Sequence, residues 1–173
     1  MSRDESYERH GAVGGASPRG IREAREALDW GNARQEASVN DFNQRIIDEF
    51  RANGGFVSTA GFGRNLVLVH HVGARSGVER VAPLFAVRSD VGWLIAASKG
   101  GAPDHPGWYH NLAAHPETIV EVPGEGEVAV RAVELEGAER DAAWERFTAA
   151  SDGFATYQAR TSRVIPVVEL RRR

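Results

Sequence analysis

At residue 65 the hydrophobic pattern of this chain changes period, and that change limits the fold more than any other feature. Before it, Val39, Phe42, Ile46, Ile47 and Phe50 recur at helical spacing. After it, residues 65–72 read NLVLVHHV, a run suited to a strand. A GARSG turn leads into 78–87, VERVAPLFAV, where Pro83 marks a bulge or an edge because proline brings no N–H to a ladder. Ser89 and Asp90 turn the chain into 91–98, VGWLIAAS. Further strands are expected at 117–122 and 127–135, parted by Pro123, Gly124 and Gly126, and a last one at 164–170. Six short strands joined mostly by turns suit a small closed or nearly closed barrel. Helices do not alternate with the strands, which argues against a parallel βαβ sheet.

The helical pieces flank this pattern. Residues 39–52 form one expected helix, with Ser38 and Asp41 as a capping box and Asn53, Gly54 and Gly55 as the stop. Its stripe could face the chain's own sheet or a membrane surface. Its polar face mixes Asp41, Asp48 and Glu49 with Arg45 and Arg51, unlike the basic face of a membrane helix. A short helix is expected over GWYHNLAAH, opened by Pro106, and another over 138–150 with Ala142, Trp144, Phe147 and Ala150 inward. Residues 151–161 look less regular. Residues 1–37 read as an extension, partly disordered or helical, with a linker-like GAVGGASPRG and a short helix over IREAREALDW. Residues 38–173 are the expected barrel domain.

Composition removes several functions. There is no cysteine, which excludes disulfides, thiolate metal sites and cysteine nucleophiles. A net charge of −3 argues against nucleic acid as a partner but allows a local basic pocket. No apolar run is long enough to span a membrane, and the N-terminus lacks the apolar stretch of a secretory signal, so a cytoplasmic location is expected. His70 and His71 point to opposite faces of a strand, and His105, His110 and His115 are five apart, so no metal site is expected. No dinucleotide fingerprint, P-loop or nucleophile elbow occurs.

Three segments carry the candidate chemistry. Gly73, Arg75, Ser76 and Gly77, with Arg80 behind, form a turn whose N–H groups and cations suit a phosphate or carboxylate. It could equally be an ordinary hairpin turn with solvated arginines. Ala96, Ala97, Ser98, Lys99 and Gly100 end a strand in small residues that allow a flat ring to lie close, with an ammonium beside it. Trp108, Tyr109 and Asn111 follow on a short helix and offer an aromatic wall.

Taken together, VGARSGVERVAPLF, AASKGGAPDHPGWYHNLAAHPE and RTSRVIPVVEL resemble the deazaflavin (coenzyme F420)-dependent nitroreductase and quinone reductase family over residues 39 to 171. The resemblance implies a split β-barrel of the flavin-reductase type. It also implies an enzyme that passes a hydride from reduced F420 to a small-molecule acceptor, quinone-like or nitro-aromatic. By the same resemblance Arg75, Arg80 and Lys99 face the cofactor's phosphate and glutamyl tail. Pro83, Ala96, Ala97 and Ser98 lie at the ring, and Trp108, Tyr109 and Asn111 form a wall. Phe85, Phe154 and Tyr157 face the acceptor, and Tyr157 or Ser98 is the candidate proton donor. The match departs from the family at Ala82, where many relatives carry Asn, and at Phe85, Ser151 and Phe154, where one branch carries tyrosines. An FMN enzyme of the same fold and a non-catalytic carrier or sensor of F420 remain rivals. A quinone acceptor or the 39–52 helix would bring the chain to the inner face of the plasma membrane as a peripheral protein. Barrels of this kind are often homodimers.

Overall fold

A computed structural model describes the backbone from Pro18 to Arg173, and side chains from residue 34 onward. Of the linker reading of 11–20, residues 11–17 lie outside the described residues, and 18–20 are already helical. The chain divides into two compact units at Asp41–Phe42. Helix α1 spans Pro18–Ala52, so the helix expected to begin at residue 39 starts much earlier. Ser38 is helix interior and caps nothing. The stop is where the glycines place it. The N–H of Gly55 closes on Phe50 O at 2.8 Å, and Gly54 and Gly55 take φ values of 59° and 92°.

The second unit is built on a closed antiparallel barrel. Its strands are β1 (Leu66–Val72), β2 (Glu79–Arg88), β3 (Gly92–Ala96), β4 (Glu117–Val122), β5 (Gly126–Glu134) and β6 (Val167–Arg172), in the order β1-β2-β3-β6-β5-β4 with β4 returning to β1. Alternation sorts the side chains. Val67 and Val69 point into the barrel with Ile95, Val120, Val130 and Leu170, while Leu66 and Leu68 face outward onto Ile46, Ile47 and Phe50 of α1. Burial on both faces explains why 65–72 reads as an unbroken apolar run. The α1 stripe therefore covers the barrel's own sheet from Ile46 onward, while Phe42 stays 39% exposed.

The remaining helices are α2 (Gly107–Ala114), α3 (Gly137–Ala150) and α4 (Asp152–Ala159). The last corrects the irregular reading of 151–161. Ser151 caps it by accepting from Gly153 N at 3.3 Å. Strand β6 also begins later than expected, at Val167. Pro166 cannot donate to a ladder, although its carbonyl still accepts from Ala97 N at 2.9 Å. No helix of the described residues is long and apolar enough to cross a membrane.

Candidate functional site

The β2–β3 ladder covers only Ala86–Arg88 of β2. The β1–β2 ladder continues to Glu79, so residues 79–85 of β2 have a strand partner on one side only. This accounts for Pro83, which lies in the stretch where β2 is an edge. A cavity of about 310 Å3 occupies the split. Pro83, Leu84 and Phe85 form its β2 wall, and Ala96, Ser98, Lys99 and Gly100 follow from the end of β3. Pro106 and Trp108 close it from the start of α2. Ser151, Phe154 and Tyr157 close it from α4, with Phe62 at the margin.

Pro83, Phe85, Ala96, Ser98, Lys99, Gly100, Trp108, Phe154 and Tyr157, all singled out in the sequence, thus meet at one cavity. The α4 side is apolar. Phe154 packs against Phe147 at 5.0 Å, Phe85 at 5.4 Å, Tyr157 at 5.8 Å and Trp144 at 6.1 Å between ring centroids. The polar groups of the cavity come from the turn at residues 98–100, which adjoins α4 at Gly101 and Tyr157. Lys99 sits in the left-handed region at φ 44°. The N–H groups of Ser98, Lys99 and Gly100 have no hydrogen-bond partner among the described residues. Lys99 Nζ is held by Asp104 Oδ2 at 2.6 Å, and that hydrogen bond and charge keep the Asp104 carboxyl below its usual range.

Other expected residues lie outside the lining. Ala97 is fully buried in the barrel core. Tyr109, expected on the pocket wall, turns instead to Glu134, to which its hydroxyl donates at 2.8 Å. Burial, then that hydrogen bond, push its phenol up to about 12. Gly73, Arg75, Ser76, Gly77 and Arg80 lie at the β1–β2 tip, outside the cavity lining. There, Gly73 N donates to Val78 O and Gly77 N to Gly73 O, at 2.8 and 2.9 Å. Ala74 N donates to Asn111 Oδ1 at 2.9 Å, so Asn111 ties the turn to α2 instead of facing the cavity. Arg75 and Arg80 are exposed and have no ion-pair partner among the described residues.

Sequence reasoning missed Phe62, Leu84 and Pro106 in the lining, and passed over Arg163. No sequence signal marks Leu84, because alternation along the strand turns it away from Phe85 and toward the lumen cluster. His71 is the buried polar residue of the core, 7% exposed. Burial, then the Arg80 charge, hold its pKa below the ordinary histidine value. Among the described residues no group of acidic or histidine side chains could hold a metal ion.

A closed barrel split along one strand, with a cavity that joins an apolar α4 wall to a polar turn carrying a lysine, is the fold and site of the chain. The family model described as F420H(2)-dependent quinone reductase matches residues 43–171, and the chain belongs to that family. The F420H(2)-dependent quinone reductase Rv1261c of Mycobacterium tuberculosis is 38% identical over 109 residues, 62% of this chain and 73% of that protein. A solved structure described as F420-H2 dependent reductase FDR-A is 39% identical, with a TM-score of 0.56 over 62% of this chain and 94% of that one. Another, described as a domain-swapped dimer, is 33% identical, with a TM-score of 0.58 over 83% of this chain and 98% of that one.

Proposed function

We propose that the cavity between β2, α2 and α4 binds reduced coenzyme F420, and that the chain is an oxidoreductase acting on a quinone-like acceptor. The observation that carries the reading is a single cavity lined both by the polar turn at residues 98–100 and by the apolar Phe85 and Phe154 with Tyr157. The residues fit the cofactor. Gly100 has open space where a Cβ would stand, and Pro83, Ala96 and Pro106 offer the flat, small surfaces that a fused ring needs.

When bound, the reduced deazaflavin supplies the hydride, and the protein's work is placement. Lys99 on the cavity wall, with Arg75 and Arg80 on the β1–β2 tip, would hold the phosphate and carboxylates of the tail. Trp108, buried at the start of α2, holds one edge of the ring slot. Phe85 and Phe154 exclude water on the acceptor side. The hydroxyl of Tyr157 or Ser98, both on the cavity wall, donates a hydrogen bond or proton to the acceptor oxygen.

Residues 38–173 are the cofactor domain in this reading, and 1–37 an extension. The setting is cytoplasmic. Peripheral membrane contact comes through the quinone, because Ile46, Ile47 and Phe50 of α1 are buried in the chain's own core. The likeness to a neighbour described as a domain-swapped dimer supports a homodimer, and light scattering on the purified chain tests it. Isothermal titration with F420 and with FMN tests the cofactor. Tighter F420 binding is expected, and equal or tighter FMN binding overturns the reading in favour of an FMN enzyme. Turnover with a panel of quinones separates an enzyme from a carrier or sensor.

A further inference from the structure

The segment RTSRVIPVVEL contributes nothing to the cavity lining, yet its Arg163 is bonded to the backbone that forms one wall. Arg163 Nη2 donates to Ala97 O at 3.1 Å and to Ser98 O at 3.0 Å. Its Nε donates to Ala102 O at 2.9 Å, and its Nη1 to His105 Nδ1 at 2.9 Å. One planar cation thus gathers three carbonyls and a ring nitrogen from the residues between the end of β3 and the start of α2. The main chain around Arg163 is itself anchored. Gln158 Nε2 donates to Arg163 O at 2.7 Å, and Gln158 Oε1 accepts from Ile165 N at 3.2 Å.

Carbonyls drawn to one side of a loop leave its N–H groups for the other. Ser98 O and Ala97 O are committed to Arg163, while the N–H groups of Ser98, Lys99 and Gly100 have no partner among the described residues. Ser98 is right-handed at φ −76° and Lys99 left-handed at φ 44°. That succession turns consecutive N–H groups toward one point, which suits an anionic oxygen. Left-handed backbone at a non-glycine residue carries strain and persists only when its surroundings hold it. The fork of Arg163 supplies that hold, and a lysine cannot copy it, because an ammonium is a point donor without the planar spread.

We propose that Arg163 is a positioning residue. By binding the carbonyls of Ala97, Ser98 and Ala102 together with His105, it holds residues 98–100 with their N–H groups free to receive an anionic oxygen of the cofactor. The inference rests on the F420 reading above. It concerns affinity for the cofactor and leaves the hydride-transfer step alone, because Arg163 does not line the cavity.

The test compares wild type with Arg163→Lys by melting temperature, by F420 dissociation constant from titration, and by separate kcat and KM for F420H2. The expected result is a variant that still folds, with a lowered melting temperature, an F420 dissociation constant raised about tenfold or more, and a kcat at saturating cofactor within about twofold of wild type. An unchanged dissociation constant in a folded variant overturns the proposal, as does a loss confined to kcat. If Arg163→Lys does not fold, His105→Phe removes the ring acceptor and leaves the three carbonyls. It should weaken F420 about two- to fivefold, and wild-type affinity in that variant overturns the proposal. Failure of the wild-type protein to bind F420 sinks the underlying reading instead, so the two failures are told apart.

Discussion

Asn111 Nδ2 lies 2.9 Å from His71 Nδ1, and the direction of that hydrogen bond is settled by a second one. Asn111 Oδ1 accepts from the main-chain N–H of Ala74, which can only donate. The amide nitrogen must therefore face His71 and donate, so His71 Nδ1 carries no proton. A neutral imidazole is thus part of the joint between α2 and the 73–77 turn. Asn111→Asp replaces the donor by an acceptor and asks His71 to bring a proton. The His71 pKa should rise in that variant, followed by NMR of the ring protons. A titration identical to wild type would mean that the amide does not set the tautomer.

The pH dependence of stability follows from His71 and His105. Both have folded-state pKa values below the ordinary 6.5, His71 by burial and then Arg80, His105 by burial and then Arg163. The unfolded chain then takes up these protons first as pH falls. Stability from both histidines is complete above 6.5 and drains away as pH drops below it toward the folded values. Carboxylates held low, such as Glu121 beside Arg51, add their loss only below their ordinary value of 4.5. Urea midpoints should fall between pH 7.5 and 5.5, and a flat profile across that window would contradict the assignment.

Asp104 competes with any anion that seeks Lys99. The pair is exposed, at 46% and 68% of the two side chains, so its worth is small and screened by salt. Asp104→Asn should tighten F420 binding about twofold at low salt, with the gain shrinking as salt is added. Arg75→Ala should act in the opposite sense and also fade with salt. Titrations across ionic strength check both, and salt-independent effects would point to a structural cause.

The apolar acceptor wall sets an order of substrates. Phe85 and Phe154 gain from burying ring and alkyl surface but offer a nitro group no hydrogen bond. A hydrophobic quinone should be reduced with higher kcat/KM than a nitroimidazole, with reduced F420 saturating. Phe154→Tyr should narrow the gap, and Tyr157→Phe should slow both if that hydroxyl serves the acceptor. Phe154 is also core, 7% exposed, so melting temperature must be followed alongside the kinetics. A wild-type preference for the nitroimidazole would show that the wall is drawn from the wrong residues.

The barrel was legible because strand alternation and turn residues are local. The period change at 65, the glycines after Ala52 and Pro83 at an edge each act within a few residues of themselves. The α4 helix was hidden by its shortness and by Gly153, although Ser151, Phe154 and Tyr157 already stood at helical spacing. The cavity's lining was legible mainly through a quoted family pattern. Orientation was not. Tyr109 and Asn111 sit on the expected helix, but α2 is short enough that neighbouring residues serve different partners, Trp108 the cavity, Tyr109 Glu134 and Asn111 the turn. Arg163 escaped notice because its four partners are carbonyls and a ring between residues 97 and 105, and main-chain acceptors leave no trace in composition.

The acceptor wall and the barrel interior draw on separate hydrophobic clusters. Phe85, Phe147, Phe154 and Tyr157 pack together outside the sheet, while Val67, Ile95, Val130 and Leu170 fill the lumen. Exchanging side chains on α4 therefore leaves the lumen packing of the folded sheet intact. Under the proposed function, acceptor preference could drift through Phe154 and Tyr157 on α4 together with Phe85 on β2 while the lumen of the barrel stays as it is.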